Sequence, residues 1–201
     1  MNPSPEISPL KAQVRAAMRA RLRMLPPDGW KRQSAEVCDR IRSLPEWAEA
    51  RWVGGYVPMR DELDLVPLMR EVLASGRRLA LPAFDGNSGQ YGFREVGDWD
   101  RDLLPGRYGV GEPGSGCAAV PVTWLDFVLV PGLAFDARGG RLGRGKGFYD
   151  RLLASAVGVT CGVGGDEQLL SAVPVEAHDI RLNLVALPKG LYGPGAQDKR
   201  C

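Results

Sequence analysis

The residues that most clearly could do chemistry in this sequence lie between Gly139 and Arg151, in the stretch GGRLGRGKGFYDR. Five glycines and four cationic side chains occupy its thirteen positions. Glycine lets backbone amides approach an oxyanion closely, and a helix predicted from about Lys146 to Ala156 would add N–H groups at its start. Asp150 would lie in the first turn, where a carboxylate could hold a Mg²⁺ ion that bridges phosphates. The stretch therefore predicts a phosphate site; the alternative is a surface turn in which Asp150 only complements the helix dipole.

Two common phosphate-binding motifs match this stretch incompletely. Gly140 and Gly145-Lys146 have Walker A spacing, but Gly147 replaces the Ser or Thr that would contact Mg²⁺. Gly143 and the glycine two positions later begin a dinucleotide fingerprint, but Phe148 replaces its third glycine. The phosphate prediction therefore depends on bare backbone and positive charge, and not on either motif.

The segments that must position this stretch alternate between helix and strand patterns. Ser8-Pro9 begins a helix whose apolar residues recur at helical spacing as far as Leu25, a second helix follows Asp28, and Asp64 caps a third. Short apolar runs predict strands at 52–57, 78–81, 91–94, 127–130, 157–163 and 182–187. We therefore expect an α/β fold, a three-layer αβα arrangement with a mostly parallel sheet and helices on both faces. Ligands of such sheets bind beyond the carboxyl ends of the strands.

Length and charge limit the class of protein. The 201 residues fit one domain, predicted over 1–190, with a flexible tail over 191–201. The net charge of +2 does not indicate a nucleic-acid partner, and no apolar run reaches the roughly 18 residues that span a bilayer. The start, MNPSPEISPL, lacks a signal-peptide pattern, so we expect a cytoplasmic protein. We also expect a monomer whose partner is a small molecule.

Cysteine and histidine usage argues against a zinc site. The four cysteines, Cys38, Cys117, Cys161 and Cys201, form no CxxC pair, and His178 is the only histidine. We expect free thiols, which suit a reducing compartment, and no zinc.

Motifs along the chain resemble one family. GRLGRGKGFYDRLL, preceded by VPGLAFD at 130–136, resembles the signature of the 5-formyltetrahydrofolate cyclo-ligases, also called methenyltetrahydrofolate synthetases. Lys11 and Arg15 resemble the family's N-terminal KxxxR, and MRDE at 59–62, YGVGEP at 108–113 and EAHD at 176–179 follow in the family's order. The resemblance covers about residues 8–188. Many relatives have a second tyrosine where this chain has Phe148.

The resemblance implies a reaction that uses ATP and Mg²⁺. The family converts 5-formyltetrahydrofolate into 5,10-methenyltetrahydrofolate and releases ADP and phosphate. Phosphorylation of the formyl oxygen makes phosphate the leaving group, and the neighbouring amine of the folate closes the ring. The protein must then supply position and positive charge. Two alternatives from other classes are a regulatory module that binds a nucleotide without catalysis, and an RNA-binding protein that uses the basic first helix.

The resemblance also implies roles for particular residues. Arg144 and Lys146 would be catalytic, and Asp150 and Asp179 would hold Mg²⁺. The ATP site would comprise Lys11, Arg15, Arg141, Leu142, Gly143, Arg144, Gly145, Lys146, Gly147, Phe148 and Tyr149. The folate site would comprise Val57, Glu62, Arg144, Gly145, Lys146, Gly147 and Phe148. Without the resemblance, Lys11 and Arg15 would indicate only a solvated helix face.

Overall fold

Proline residues set the starts of the main helices in the computed structural model, which describes residues 7–199. Proline occupies the first turn of the second, third and fourth helices, where its missing N–H costs no helical hydrogen bond. The helices are α1 (Ile7–Arg23), α2 (Pro27–Arg42), α3 (Pro45–Glu49), α4 (Val66–Ala74), α5 (Trp99–Asp102) and α6 (Phe148–Leu152). None of the helices within residues 7–199 has the length and apolar character needed to cross a membrane.

Thirteen strands within the described residues form three sheets. The strands are β1 (Trp52–Gly54), β2 (Arg78–Asp85), β3 (Gln90–Val96), β4 (Leu103–Pro105), β5 (Gly111–Pro113), β6 (Ala119–Val120), β7 (Phe127–Pro131), β8 (Ala134–Asp136), β9 (Arg141–Leu142), β10 (Val159–Val163), β11 (Leu169–Leu170), β12 (Leu184–Leu187) and β13 (Gly190–Tyr192). The large sheet has the order β13-β12-β10-β7-β1-β2-β3-β6. The five inner strands of this sheet are parallel to one another: β12, β10, β7, β1 and β2. The outer strands β13, β3 and β6 pair antiparallel with their neighbours. The predicted mostly parallel α/β sheet is confirmed.

The central strand β7 shows how the two faces of the sheet are covered. Phe127 and Leu129 lie in the core cluster that includes residues of α2, α3 and α4. Val128 and Val130 point to the other face, where the cluster contains Leu152 of α6 and Leu153 after it. All five residues of β7 are buried, as its uninterrupted apolar sequence predicts for a strand covered on both faces. Helices thus lie on both faces: α2, α3 and α4 cover one face, and the short α6 contributes to the other.

Helix α1 lies apart from these faces, at the carboxyl end of β7. Met18 and Leu22 pack against Leu133, which directly precedes β8, and against Leu142 in β9, so α1 packs on the small sheet β11-β8-β9. The turn between β8 and β9 is held by Asp136, whose Oδ1 accepts hydrogen bonds from the backbone N–H groups of residues 138 and 140, both at 2.9 Å. Since this hairpin leads directly into the glycine-rich stretch, α1 and the small sheet together fix where that stretch lies.

Two sequence predictions about element boundaries need correction. The helix predicted from Lys146 to Ala156 is the shorter α6, which ends at Leu152 and begins only after Gly147, whose φ of 58° is left-handed. Lys146 therefore lies in the loop and not in a helical turn. The flexible tail predicted from residue 191 does not begin there, since Leu191 and Tyr192 pair with β12 as part of β13, and a 3-10 helix follows over Pro194–Lys199.

The cysteines of the described region are free thiols, as the sequence predicts for Cys38, Cys117 and Cys161. Cys201 lies outside the described residues.

Candidate active site

A cleft of about 920 Å³ lies beyond the carboxyl ends of the parallel strands. Tyr56 and Val57 after β1 and Gly132 after β7 form part of its floor, and α1 and the β2–β3 hairpin form parts of its sides. All fifteen residues to which the sequence assigned a site role line this one cleft. They are Lys11, Arg15, Val57, Glu62, Arg141, Leu142, Gly143, Arg144, Gly145, Lys146, Gly147, Phe148, Tyr149, Asp150 and Asp179.

The glycine-rich loop at 143–147 is held in place by arginines of α1. Arg15 Nε donates to the carbonyl oxygen of Gly143 at 2.9 Å, and Arg19 Nη2 donates to that of Arg144 at 3.3 Å. Gly145 has a φ of 104°, a conformation that side-chain-bearing residues rarely adopt. The glycines therefore serve the loop's backbone conformation, and Arg19 is a cleft residue that the sequence analysis missed.

Arg141 is the most deeply placed cation of the loop region. Its side chain is nearly buried, and its Nη2 lies 3.0 Å from Asp150 Oδ1. Its guanidinium carbon lies 5.5 Å from the centre of the Tyr149 ring. Arg141 Nε has no hydrogen-bond partner among the described residues, so a buried donor at the cleft is left for a ligand.

Arg144 reaches across the cleft to two carboxylates. Asp61 accepts two hydrogen bonds from its guanidinium, at 2.7 and 3.1 Å, and Glu62 Oε1 accepts from its Nη2 at 3.0 Å. Burial lowers the pKa of Arg144, but these carboxylates outweigh it and the net effect is a raised pKa. Burial also raises the pKa of Glu62, although Arg144 opposes that shift. The contact of Arg144 with Asp61 and Glu62 was not predicted from the sequence.

Lys11 is buried between two carboxylates of the segment before β12. Its Nζ lies 2.7 Å from Glu176 Oε2 and 2.5 Å from Asp179 Oδ2. Burial lowers the pKa of Lys11, but the ion pairs with Asp179 and Glu176 outweigh it, so the pKa is raised. Only 6% of Lys11 is exposed, which rules out the solvated helix face that the pattern alone indicated. We refer to Lys11, Arg15, Arg141, Arg144 and Lys146 as the basic wall.

Four rings in contact with one another line another part of the cleft, and we call them the aromatic wall. Phe84 and Tyr91 face each other across the β2–β3 hairpin with ring centres 5.3 Å apart. The ring centres of Tyr91 and Phe148 are 4.3 Å apart, and those of Phe148 and Tyr149 are 4.8 Å apart. Glu112 fixes this side, because it accepts hydrogen bonds from the Phe84 N–H at 2.8 Å and from the Tyr91 hydroxyl at 3.1 Å.

Comparisons with known proteins agree on one family. The family model for 5-formyltetrahydrofolate cyclo-ligases matches residues 7–188. The 5-formyltetrahydrofolate cyclo-ligase of Escherichia coli is 31% identical over 87% of this chain and 98% of its own, and that of Mycolicibacterium smegmatis is 31% identical over 89% and 94%. The chain belongs to the 5-formyltetrahydrofolate cyclo-ligase family.

Solved structures of cyclo-ligases have the same fold. The NMR structure of Aquifex aeolicus 5,10-methenyltetrahydrofolate synthetase is 35% identical, with a TM-score of 0.82 over 92% of each chain. The synthetase from Mycoplasma pneumoniae, at 17% identity, superposes with a TM-score of 0.70 over 88% of this chain and 97% of its own, which shows the fold alone.

The carboxylates assigned to Mg²⁺ by family resemblance are both paired with cations. Asp150 Oδ1 accepts from Arg141 and, at 3.3 Å, from the backbone N–H of Ile180, which places it beside the segment that carries Asp179. The described residues contain no cluster of three or more His, Cys, Asp or Glu side chains that could hold a metal without a ligand's help. Mg²⁺ is usually held by one or two carboxylates together with substrate phosphates, and the two aspartates fit that arrangement.

Proposed function

We propose that this chain catalyses the ATP- and Mg²⁺-dependent conversion of 5-formyltetrahydrofolate into 5,10-methenyltetrahydrofolate, with release of ADP and phosphate. The observation that carries the proposal is the single cleft lined by every residue matched to the family's site. A formamide oxygen is a poor leaving group, and transfer of a phosphoryl group to it makes phosphate the group that departs. The folate's own amine is the nucleophile, so the protein needs no nucleophilic side chain.

In this proposal the basic wall binds the ATP phosphates. Lys11 and Arg15 contact them from α1, and Arg141 and the loop at 142–149 surround the triphosphate. The buried Arg141 Nε without a partner supports this role, because an orphaned donor is costly unless a ligand satisfies it. Arg144 and Lys146 then face the transferring phosphoryl group, where fixed positive charge stabilises the charge of the transition state.

The proposed folate site joins Val57, Glu62 and the loop. Glu62 is buried and its Oε2 accepts from the Met59 N–H at 3.0 Å, while its Oε1 pairs with Arg144. This carboxylate could accept hydrogen bonds from the N–H groups of a pterin. The contact with Arg144 would then place the catalytic guanidinium beside the bound folate.

Asp150 and Asp179 are the residues that would hold Mg²⁺. A bound Mg²⁺ ion would neutralise phosphate charge and orient the nucleotide. The two aspartates would turn an oxygen toward the cleft while Arg141 and Lys11 keep their side chains in place.

We further propose that the predicted cyclo-ligase domain of residues 1–190, extended by the rest of β13 to Tyr192, is a single domain that acts as a monomer in the cytoplasm. Its partners would be the nucleotide and a folate with one or more glutamates.

A ring-closure assay tests the proposed function. Purified protein with 5-formyltetrahydrofolate, ATP and Mg²⁺ should raise the absorbance of the methenyl product. Omission of ATP should abolish the signal, and EDTA should do the same. If calorimetry shows ATP binding and no product forms, the chain is a nucleotide-binding module and the proposal fails.

A further inference from the structure

Arg107 is a cation of the cleft that lies away from the basic wall. It follows β4 and lines the cleft, with its guanidinium carbon 3.4 Å from the centre of the Phe84 ring. Its backbone N–H donates to Glu112 Oε1 at 3.0 Å, so the same carboxylate that fixes the aromatic wall also fixes the start of this turn. Among the described residues its guanidinium has no carboxylate partner, whereas Arg141 has one and Lys11 and Arg144 have two each.

The aromatic wall connects Arg107 to the basic wall in one continuous row. Ring contacts run from Phe84 through Tyr91 and Phe148 to Tyr149, and Arg141 lies over the last ring. Neighbouring rings in this row meet edge to face, with their planes 67–83° apart, so a conjugated ligand that follows the row can pack against ring edges and ring faces. Its one end would meet the phosphate-binding cations, and its other end would meet the exposed guanidinium of Arg107.

We propose that Arg107 is a specificity-determining residue that binds a carboxylate of the folate's glutamate tail. The inference rests on the proposed function and deepens it. Beyond the pterin and benzoyl rings, the first charged groups of a folate are the glutamate carboxylates. A guanidinium stacked on a ring keeps its edge N–H groups free to donate in a bidentate manner to a carboxylate.

The position of Arg107 favours the tail over the nucleotide phosphates. It is exposed, at the rim of the cleft, and the aromatic row separates it from Arg141. Each further γ-linked glutamate adds one carboxylate, so the same side chain would also favour polyglutamylated folates over the monoglutamate.

Steady-state kinetics of Arg107 variants with a full and a truncated substrate test this contact. Arg107→Ala should raise the KM for 5-formyltetrahydrofolate by about five- to tenfold, since a charge-assisted contact at an exposed rim is lost. The kcat and the KM for ATP should stay within about twofold. The same variant should show no added loss with the carboxamide of 5-formyltetrahydropteroic acid, which has an uncharged amide in place of the glutamate, because the contact is already absent. Arg107→Lys should fall between the wild type and Arg107→Ala, and Arg138→Ala, an exposed arginine outside the cleft, should match the wild type.

The outcomes separate this inference from the proposed function. If wild-type protein closes the ring and Arg107→Ala raises the KM equally for the full and truncated substrates, Arg107 supports the aromatic wall and the tail contact is wrong. A rise in the KM for ATP would instead place Arg107 in the nucleotide site. Absence of ring closure by the wild type would remove the proposed function itself.

Discussion

The basic wall and the aromatic wall of the cleft are built by different means. In the basic wall, Lys11, Arg141 and Arg144 are each paired with carboxylates at 2.5–3.1 Å. Such pairing holds cationic groups in place before a ligand arrives, which is how electrostatic stabilisation avoids reorganisation during a reaction. The aromatic wall has ring contacts instead, and Glu112 anchors it through hydrogen bonds.

This difference suggests a division of labour. Prearranged charge should act on the transferring phosphoryl group and therefore on kcat. Ring contacts should hold the folate equally in the ground state and the transition state, and therefore act on its KM. Substitutions on the two walls can break or sharpen this distinction.

The largest effect is expected for Lys146→Ala in the basic wall. Loss of one positive charge at a phosphoryl centre should lower kcat by about 100- to 1,000-fold while the circular dichroism spectrum stays unchanged. Lys189→Ala, a lysine outside the cleft, serves as the control and should keep full turnover. Near-normal turnover of Lys146→Ala would remove Lys146 from the chemistry.

A smaller loss is expected for Asp61→Asn, which weakens the bidentate contact with Arg144. Misplacement of the guanidinium should lower kcat by about tenfold. The double variant with Arg144→Ala should be no slower than Arg144→Ala alone, because Asp61 acts through Arg144. Asp100→Asn breaks a comparable Asp–Arg pair with Arg70 away from the cleft and should leave kcat unchanged. Additive losses in the double variant would contradict the positioning role.

The aromatic wall is tested by Tyr91→Leu. Loss of the ring should raise the KM for 5-formyltetrahydrofolate by about three- to tenfold and change kcat little, since aromatic contacts contribute about 0.5–1.5 kcal/mol. Tyr91→Phe keeps the ring and removes the hydroxyl that donates to Glu112, so its KM should stay close to that of the wild type. A loss in kcat that exceeds the change in KM would erase the distinction between the walls.

The smallest expected effect concerns the pH dependence of stability at Glu62. Burial raises the pKa of this carboxyl in the folded protein above its ordinary value of 4.5. Protonation is therefore favoured by folding, and the associated stability is present at low pH and lost as the pH rises through the folded-state pKa. Urea unfolding of wild type and Glu62→Gln should show the wild type gaining stability relative to the variant as the pH falls from about 7 to about 4.5. An opposite trend would mean that Arg144 dominates the ionisation of Glu62.

The sequence predicts the parts of the molecule that depend on neighbouring residues. The buried strand β7 follows from an uninterrupted apolar run, and Arg141, Lys146 and Asp150 were found because they lie within ten positions of one another. The start of α6 at Phe148 was missed because a helical pattern does not reveal the left-handed φ of Gly147.

Contacts between segments that are distant along the chain could not be predicted from the sequence. Arg144 meets Asp61 across 83 positions, and Lys11 meets Asp179 across 168. Tyr91 joins the cleft only through the register of the β2–β3 hairpin, which sets it opposite Phe84. Such pairings depend on tertiary packing, and a single sequence carries no local pattern for them.

An isotope experiment tests the central claim most directly, namely that the basic wall delivers a phosphoryl group to the formyl oxygen. The protein is given 5-formyltetrahydrofolate labelled with heavy oxygen in the formyl group, together with unlabelled ATP and Mg²⁺, and the released phosphate is analysed by mass spectrometry. Each phosphate formed with the methenyl product should carry one heavy oxygen from the folate. Unlabelled phosphate, with the heavy oxygen released as water, would contradict the account.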